Sequence, residues 1–100
     1  MVRLALDKDE VARFCREHGI RRLALFGSVL REDFGPSSDL DVLVEFEPGR
    51  VPGLIGLAGL ERELSERCFG GRRVDVRTPE DLSRHFRNRV LQEAEVQFAG

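Results

Sequence analysis

The stretch Leu40-Asp41-Val42-Leu43-Val44-Glu45-Phe46 constrains this chain more than any other. It is an apolar run bounded by turn residues, which reads as a largely buried β-strand. Such a strand belongs in a sheet that helices cover. The run from Leu40 to Val44 is interrupted by Asp41, so nothing approaches the roughly 20 apolar residues that a bilayer span needs. A membrane-spanning role is excluded. A charge between Leu40 and Val42 is also expensive unless it is paired or coordinated, so Asp41 is the first residue that points to chemistry.

The flanking sequence supplies the cover. Asp7 and Glu10 form a capping-box pattern, and Val11, Phe14, Cys15 and His18 recur at helical spacing until Gly19. Arg22 to Phe26 alternates as a strand, Gly27-Ser28 breaks it, and Val29 to Asp33 reads as a short helical segment. Gly35-Pro36-Ser37-Ser38 is a turn cluster. After a loop from Pro48 to Pro52, Leu54, Leu57, Ala58, Leu60, Leu64 and Cys68 trace an apolar stripe that Gly70-Gly71 ends. Arg73 to Arg77 is a short third strand. Thr78-Pro79-Glu80-Asp81 reads as the start of a fourth helix carrying Leu82, Phe86, Val90 and Ala94. The tail Val96-Gln97-Phe98 fits either a frayed end or a short extra strand. The expected fold is α/β (α+β), a small mixed three-stranded sheet with an optional fourth strand, covered by about four helices. At 100 residues, residues 1–100 make one domain.

Composition narrows the function. Sixteen basic and eighteen acidic residues give a net charge of −2, which argues against a generic grip on nucleic acid and makes any phosphate binding local. Two cysteines without a Cys-x-x-Cys pattern suit a reducing compartment. Acidic residues enter the first segment before a signal-peptide core could form, so the expected location is the cytoplasm. Cys15, His18, Cys68 and His85 could be gathered into a zinc site, but both cysteines fall on inner helical faces and core packing is the better reading. Arg72, Arg73, Arg84, Arg87 and Arg89 read as solvated charges. Gly53, Gly56 and Gly59 would either allow close packing, against another chain for example, or mark a frayed helix start.

Three aspartates carry the chemistry. Asp39 and Asp41 sit two apart at the mouth of the apolar strand, with Cα atoms roughly 6.6 Å apart and carboxylates on one face. Like charges held that close repel unless a cation intervenes, and hard divalent ions such as Mg²⁺ favour carboxylate oxygens. Asp75, between Val74 and Val76, adds a third acid from the next strand. The plainer readings are a turn at Ser38-Asp39 and an ion pair of Asp75 with Arg73 or Arg77. Gly27-Ser28 turns from a strand into a helical segment, where backbone N–H groups can meet an anion and glycine lets a phosphate approach. Its plainer use is a tight turn with a serine cap. Neither a P-loop nor a dinucleotide-binding glycine pattern is present.

Gly27-Ser28, ten residues, Asp39-Leu40-Asp41, then Asp75 on a later strand: this order resembles the polymerase-beta-type nucleotidyltransferase superfamily. The stretch LFGSVLREDFGPSSDLDVLVEF is similar to its minimal nucleotidyltransferase (MNT) branch. Arg31 matches the family's arginine after Gly-Ser, whereas Glu32 stands where a glycine commonly follows. The resemblance implies that Asp39, Asp41 and Asp75 hold two Mg²⁺ ions and that Gly27, Ser28 and Arg31 bind the phosphates of ATP. Asp75 would take the proton of an attacking hydroxyl as AMP is transferred. It further implies an antitoxin that binds a HEPN ribonuclease toxin and adenylylates its tyrosine. A partner would supply the lobe this short chain lacks, so a hetero-oligomer or homo-oligomer is expected. The rival readings are a catalytically silent module that neutralises by contact and a nucleotidyltransferase acting on a small molecule.

Overall fold

A computed structural model describes residues 7–30, 35 and 38–100. Helix α1 (Lys8–His18) begins where the Asp7 carboxylate accepts from the amides of Asp9 and Glu10, and it ends at Gly19 in the left-handed region, φ +68°. Strand β1 (Ile20–Phe26) starts two residues before the expected Arg22. A 3₁₀ turn, Gly27–Leu30, follows in place of the expected helical segment 29–33, whose last three residues lie outside the described ones. Strand β2 (Leu40–Phe46) matches the expectation at both ends. Then come helix α2 (Leu54–Cys68), strand β3 (Val74–Arg77), helix α3 (Arg84–Glu93) and strand β4 (Glu95–Ala99).

The sheet has the order β3-β2-β1-β4. Strand β1 pairs antiparallel with both β2 and β4, while β2 and β3 are parallel, so the sheet is mixed. The open question about the tail is resolved: it is a fourth strand, held on the free edge of β1. Edge strand β3 is tied to α2, whose Glu61 carboxylate accepts from the Val76 amide at 2.8 Å.

Strand alternation sorts the interior into two layers. Leu23, Leu25, Val42, Val44, Val74 and Val76 face α1 and α2, joining Val11, Phe14, Cys15, Leu60 and Leu64 in the main core. On the other face Phe26 and Leu43 meet Leu82 and Val90 in a smaller cluster beneath α3. Asp41 and Asp75 alternate with core residues of the first layer, so they belong to the face that α3 only partly covers.

Four expectations need correction. The described residues hold three α-helices: a 3₁₀ turn stands at Gly27–Leu30, and the expected fourth helix is shortened to α3 behind a second 3₁₀ turn, Pro79–Asp81. The Asp81 carboxylate accepts from both the Thr78 amide and its hydroxyl at 3.1 Å, which closes that turn on itself. Leu82 is then extended, φ −90° and ψ 142°, and the helix restarts after Ser83. In α2, Leu54 is 88% exposed and Ala58 is also exposed, so the buried stripe of this helix begins later than expected, with Leu60, Leu64 and Cys68. Phe86, placed on an inward stripe, is 48% exposed. Arg72 is not simply solvated: its guanidinium donates to the carbonyls of Gly35 and Ser38 at 2.9 and 3.4 Å and anchors the approach to β2. The zinc reading fails as expected, since Cys15 and Cys68 are buried under α1 and α2 while His85 is exposed on α3, across the sheet. Among the described residues no helix is long and apolar enough to cross a membrane.

Candidate active site

The site lies where β1 ends and β2 and β3 begin. Asp41 is the direct partner of Phe26 on one side and of Asp75 on the other. Two acids are thereby placed side by side on neighbouring strands, which costs free energy unless positive charge offsets it. The Arg77 guanidinium does so in part, donating to Asp75 Oδ2 at 3.1 and 3.3 Å. The plainer reading of Asp75, an ion pair with Arg77, is therefore realised alongside its place in the acidic pair.

Gly27 closes the corner. Its φ is +74°, a conformation that favours glycine, and a Cβ built there would overlap the Asp41 carboxylate. The turn thus brings bare backbone against a charged oxygen. Gly27, Asp41, Asp75 and Arg77 line one open cavity of about 350 Å³ together with Phe26, Leu82 and Phe86. A second cavity of about 320 Å³ is lined by Leu30, Arg89, Val90 and Glu93, and shares Phe26, Gly27 and Phe86 with the first.

Not every expected site residue is gathered there. Asp39 precedes β2, is exposed, and has Arg73 Nη1 4.0 Å from its Oδ1. Ser28 is in the 3₁₀ turn directly after Gly27. Arg31 lies outside the described residues. Arg77 and Phe86 are site residues that motif spacing did not reveal. Arg77 had appeared only as an ion-pair partner, and Phe86 as part of an inward stripe.

A second acidic group lies on the opposite side of the sheet, where Glu17, His18 and Glu63 bring ligand-type atoms together. Arg67 occupies it, donating to Glu10, Glu17 and Glu63 at 2.7–3.1 Å, so it serves as an ion-pair clasp between α1 and α2. Bonds to His18 and then to Arg67 hold the Glu63 carboxyl below its ordinary range, and the Arg67 bond does the same for Glu17.

The donor set at Asp41 and Asp75 suits a hard cation, and the glycine corner suits a phosphate. The nucleotidyltransferase domain model matches residues 8–96. The chain belongs to that family. This nucleotidyltransferase is 36% identical over 87 residues, covering 87% of the chain and 89% of its relative, to a Methanocaldococcus jannaschii protein named provisionally as a protein adenylyltransferase. It is 35% identical over 75 residues, 75% of the chain and 72% of the relative, to the protein adenylyltransferase MntA of Thermococcus cleftensis. A solved structure provisionally described as a minimal nucleotidyltransferase superposes with a TM-score of 0.70 at 39% identity, covering 87% of this chain and 85% of the other. The nucleotidyltransferase also shares its fold, with a TM-score of 0.72 at 17% identity over 94% of this chain and 74% of the other, with a toxin–antitoxin crystal structure containing AMP-PNP.

Proposed function

We propose that this nucleotidyltransferase moves AMP from ATP to a hydroxyl, most specifically a tyrosine hydroxyl on a HEPN-type toxin partner, and so acts as the antitoxin of a cytoplasmic pair. The observation that carries the proposal is the Asp41 carboxylate packed against Gly27 with Asp75 in register beside it. The relatives named as protein adenylyltransferases support a protein acceptor, and the fold shared with toxin–antitoxin complexes supports a toxin as that acceptor.

Asp39, Asp41 and Asp75 would hold two Mg²⁺ ions; when bound, these neutralise triphosphate charge and polarise the α-phosphoryl group. The backbone at Gly27 and Ser28 binds the β- and γ-phosphates, with Arg31 as a further phosphate contact. Asp75, drawn off Arg77, accepts the proton of the incoming hydroxyl as its oxygen bonds to the α-phosphorus. The bond to the β-phosphate oxygen breaks and pyrophosphate departs. Ser28 contributes to phosphate binding and does not act as a nucleophile. Residues 1–100 would suffice for this chemistry, with the partner closing the site against water.

The test is incubation of the purified protein and its toxin partner with ATP labelled at the α-phosphate. Label should move to the partner's tyrosine and should be absent with Asp39→Asn/Asp41→Asn. Tight complex formation without label transfer would overturn the enzymatic reading, and full neutralisation by the double variant would favour inhibition by contact.

A further inference from the structure

Phe86 on α3 is half in solvent, at 48% exposure, and it lines both of the cavities that share Gly27 and Phe26. Its position has a physical cause. Phe86 precedes Val90 by about one turn of α3, and Val90 is buried with Leu82 in the cluster beneath that helix. The cavity that Phe86 lines, however, also carries Asp41, Asp75 and Arg77, so the lining beside the ring is not wholly apolar. Phe26, the other aromatic residue of both cavities, is only 7% exposed and has no free face to offer.

We infer that Phe86 is the platform on which the nucleobase of the substrate stacks. The inference rests on the reading of the site as a nucleotide site and adds its base-binding residue. A ligand for this space must combine an anionic end for the glycine corner with a flat apolar end for the exposed ring. A nucleoside triphosphate has that division, and base–aromatic stacking needs only a free π-face. Arg77 lines one of these cavities and Arg89 the other, each in an ion pair, with Asp75 and Glu93 respectively.

Binary binding separates this from a role in holding the acceptor. Affinities are measured by calorimetry for AMP-PNP and for inorganic tripolyphosphate, each with Mg²⁺ and without partner protein, in the native chain, Phe86→Ala, Phe86→Trp and Asp41→Asn. Phe86→Ala should weaken AMP-PNP by about tenfold to a hundredfold and leave tripolyphosphate within about twofold, while Phe86→Trp keeps the native preference. Asp41→Asn should weaken both ligands alike. Unchanged AMP-PNP affinity in Phe86→Ala overturns the inference and leaves the nucleotidyl-transfer reading intact, as does an equal loss for both ligands. Failure of the native chain to bind either ligand sinks the underlying reading as well.

Discussion

Replacing Asp41 by Asn should make the metal-free protein more stable while ending its activity. Asp41 and Asp75 are direct partners on parallel strands, and neighbouring strands lie about 4.8 Å apart. Two unit charges about 5 Å apart in an effective dielectric of about 20 repel by about 3 kcal/mol, an upper bound here. Both acids are only partly buried and Arg77 bonds Asp75, so solvent and the guanidinium reduce the repulsion to about 1 kcal/mol. In a domain of this size that corresponds to a rise of about 4–8 °C in Tm. Scanning calorimetry in EDTA should record the rise for Asp41→Asn, and adding Asp75→Asn should contribute much less than a second full increment. Mg²⁺ should then reverse the order. At ten times its Kd the ion stabilises the native chain by about 1.4 kcal/mol and has little purchase on the variant. A variant that melts at or below the native chain in EDTA, or that gains as much from Mg²⁺, would refute the claim that these carboxylates form one cation site.

Gly27→Ala forces an L side chain into φ +74° and into the Asp41 carboxylate, so urea unfolding should show a loss of about 1–3 kcal/mol together with weaker nucleotide binding. Glu17 and Glu63 have folded-state pKa values below their unfolded ones, so their contribution is fully present above about pH 4.5 and is lost as pH falls through the lowered values. Urea midpoints followed from pH 7 to pH 3 should fall less steeply for Arg67→Gln than for the native chain; equal slopes would remove the clasp from the account. Burial pushes the Cys15 thiol up to about 12 and the Cys68 thiol to about 11. Iodoacetamide at pH 8 should accordingly label neither cysteine in the native protein and both in urea, as read by mass spectrometry.

How much of this arrangement a linear reading can reach depends on whether the deciding contact is local. Strand β2 was legible end to end because its apolar run, the turn residues on either side and the charge of Asp41 inside it are all local to Leu40–Phe46 and its flanks. Asp75 was legible for the same reason: Val74 and Val76 are core, so the residue between them faces the other way. Gly27 was legible as a turn, but its packing against Asp41 was not, since that depends on the antiparallel register that pairs Phe26 with Asp41. Strand β4 could not be read from Val96-Gln97-Phe98 alone, because its pairing partners are on β1, seventy or more residues earlier. The misplacement of Phe86 follows from the same limit. Periodicity reports the side of a helix on which a residue lies, and within α3 Phe86 does share that side with Val90, whereas Leu82 lies before the helix. Burial also requires an apolar surface beneath it, and here the strands supply Asp41 and Asp75 instead. The pattern therefore errs where the acids interrupt the core, leaving an aromatic ring uncovered beside the site that those acids form.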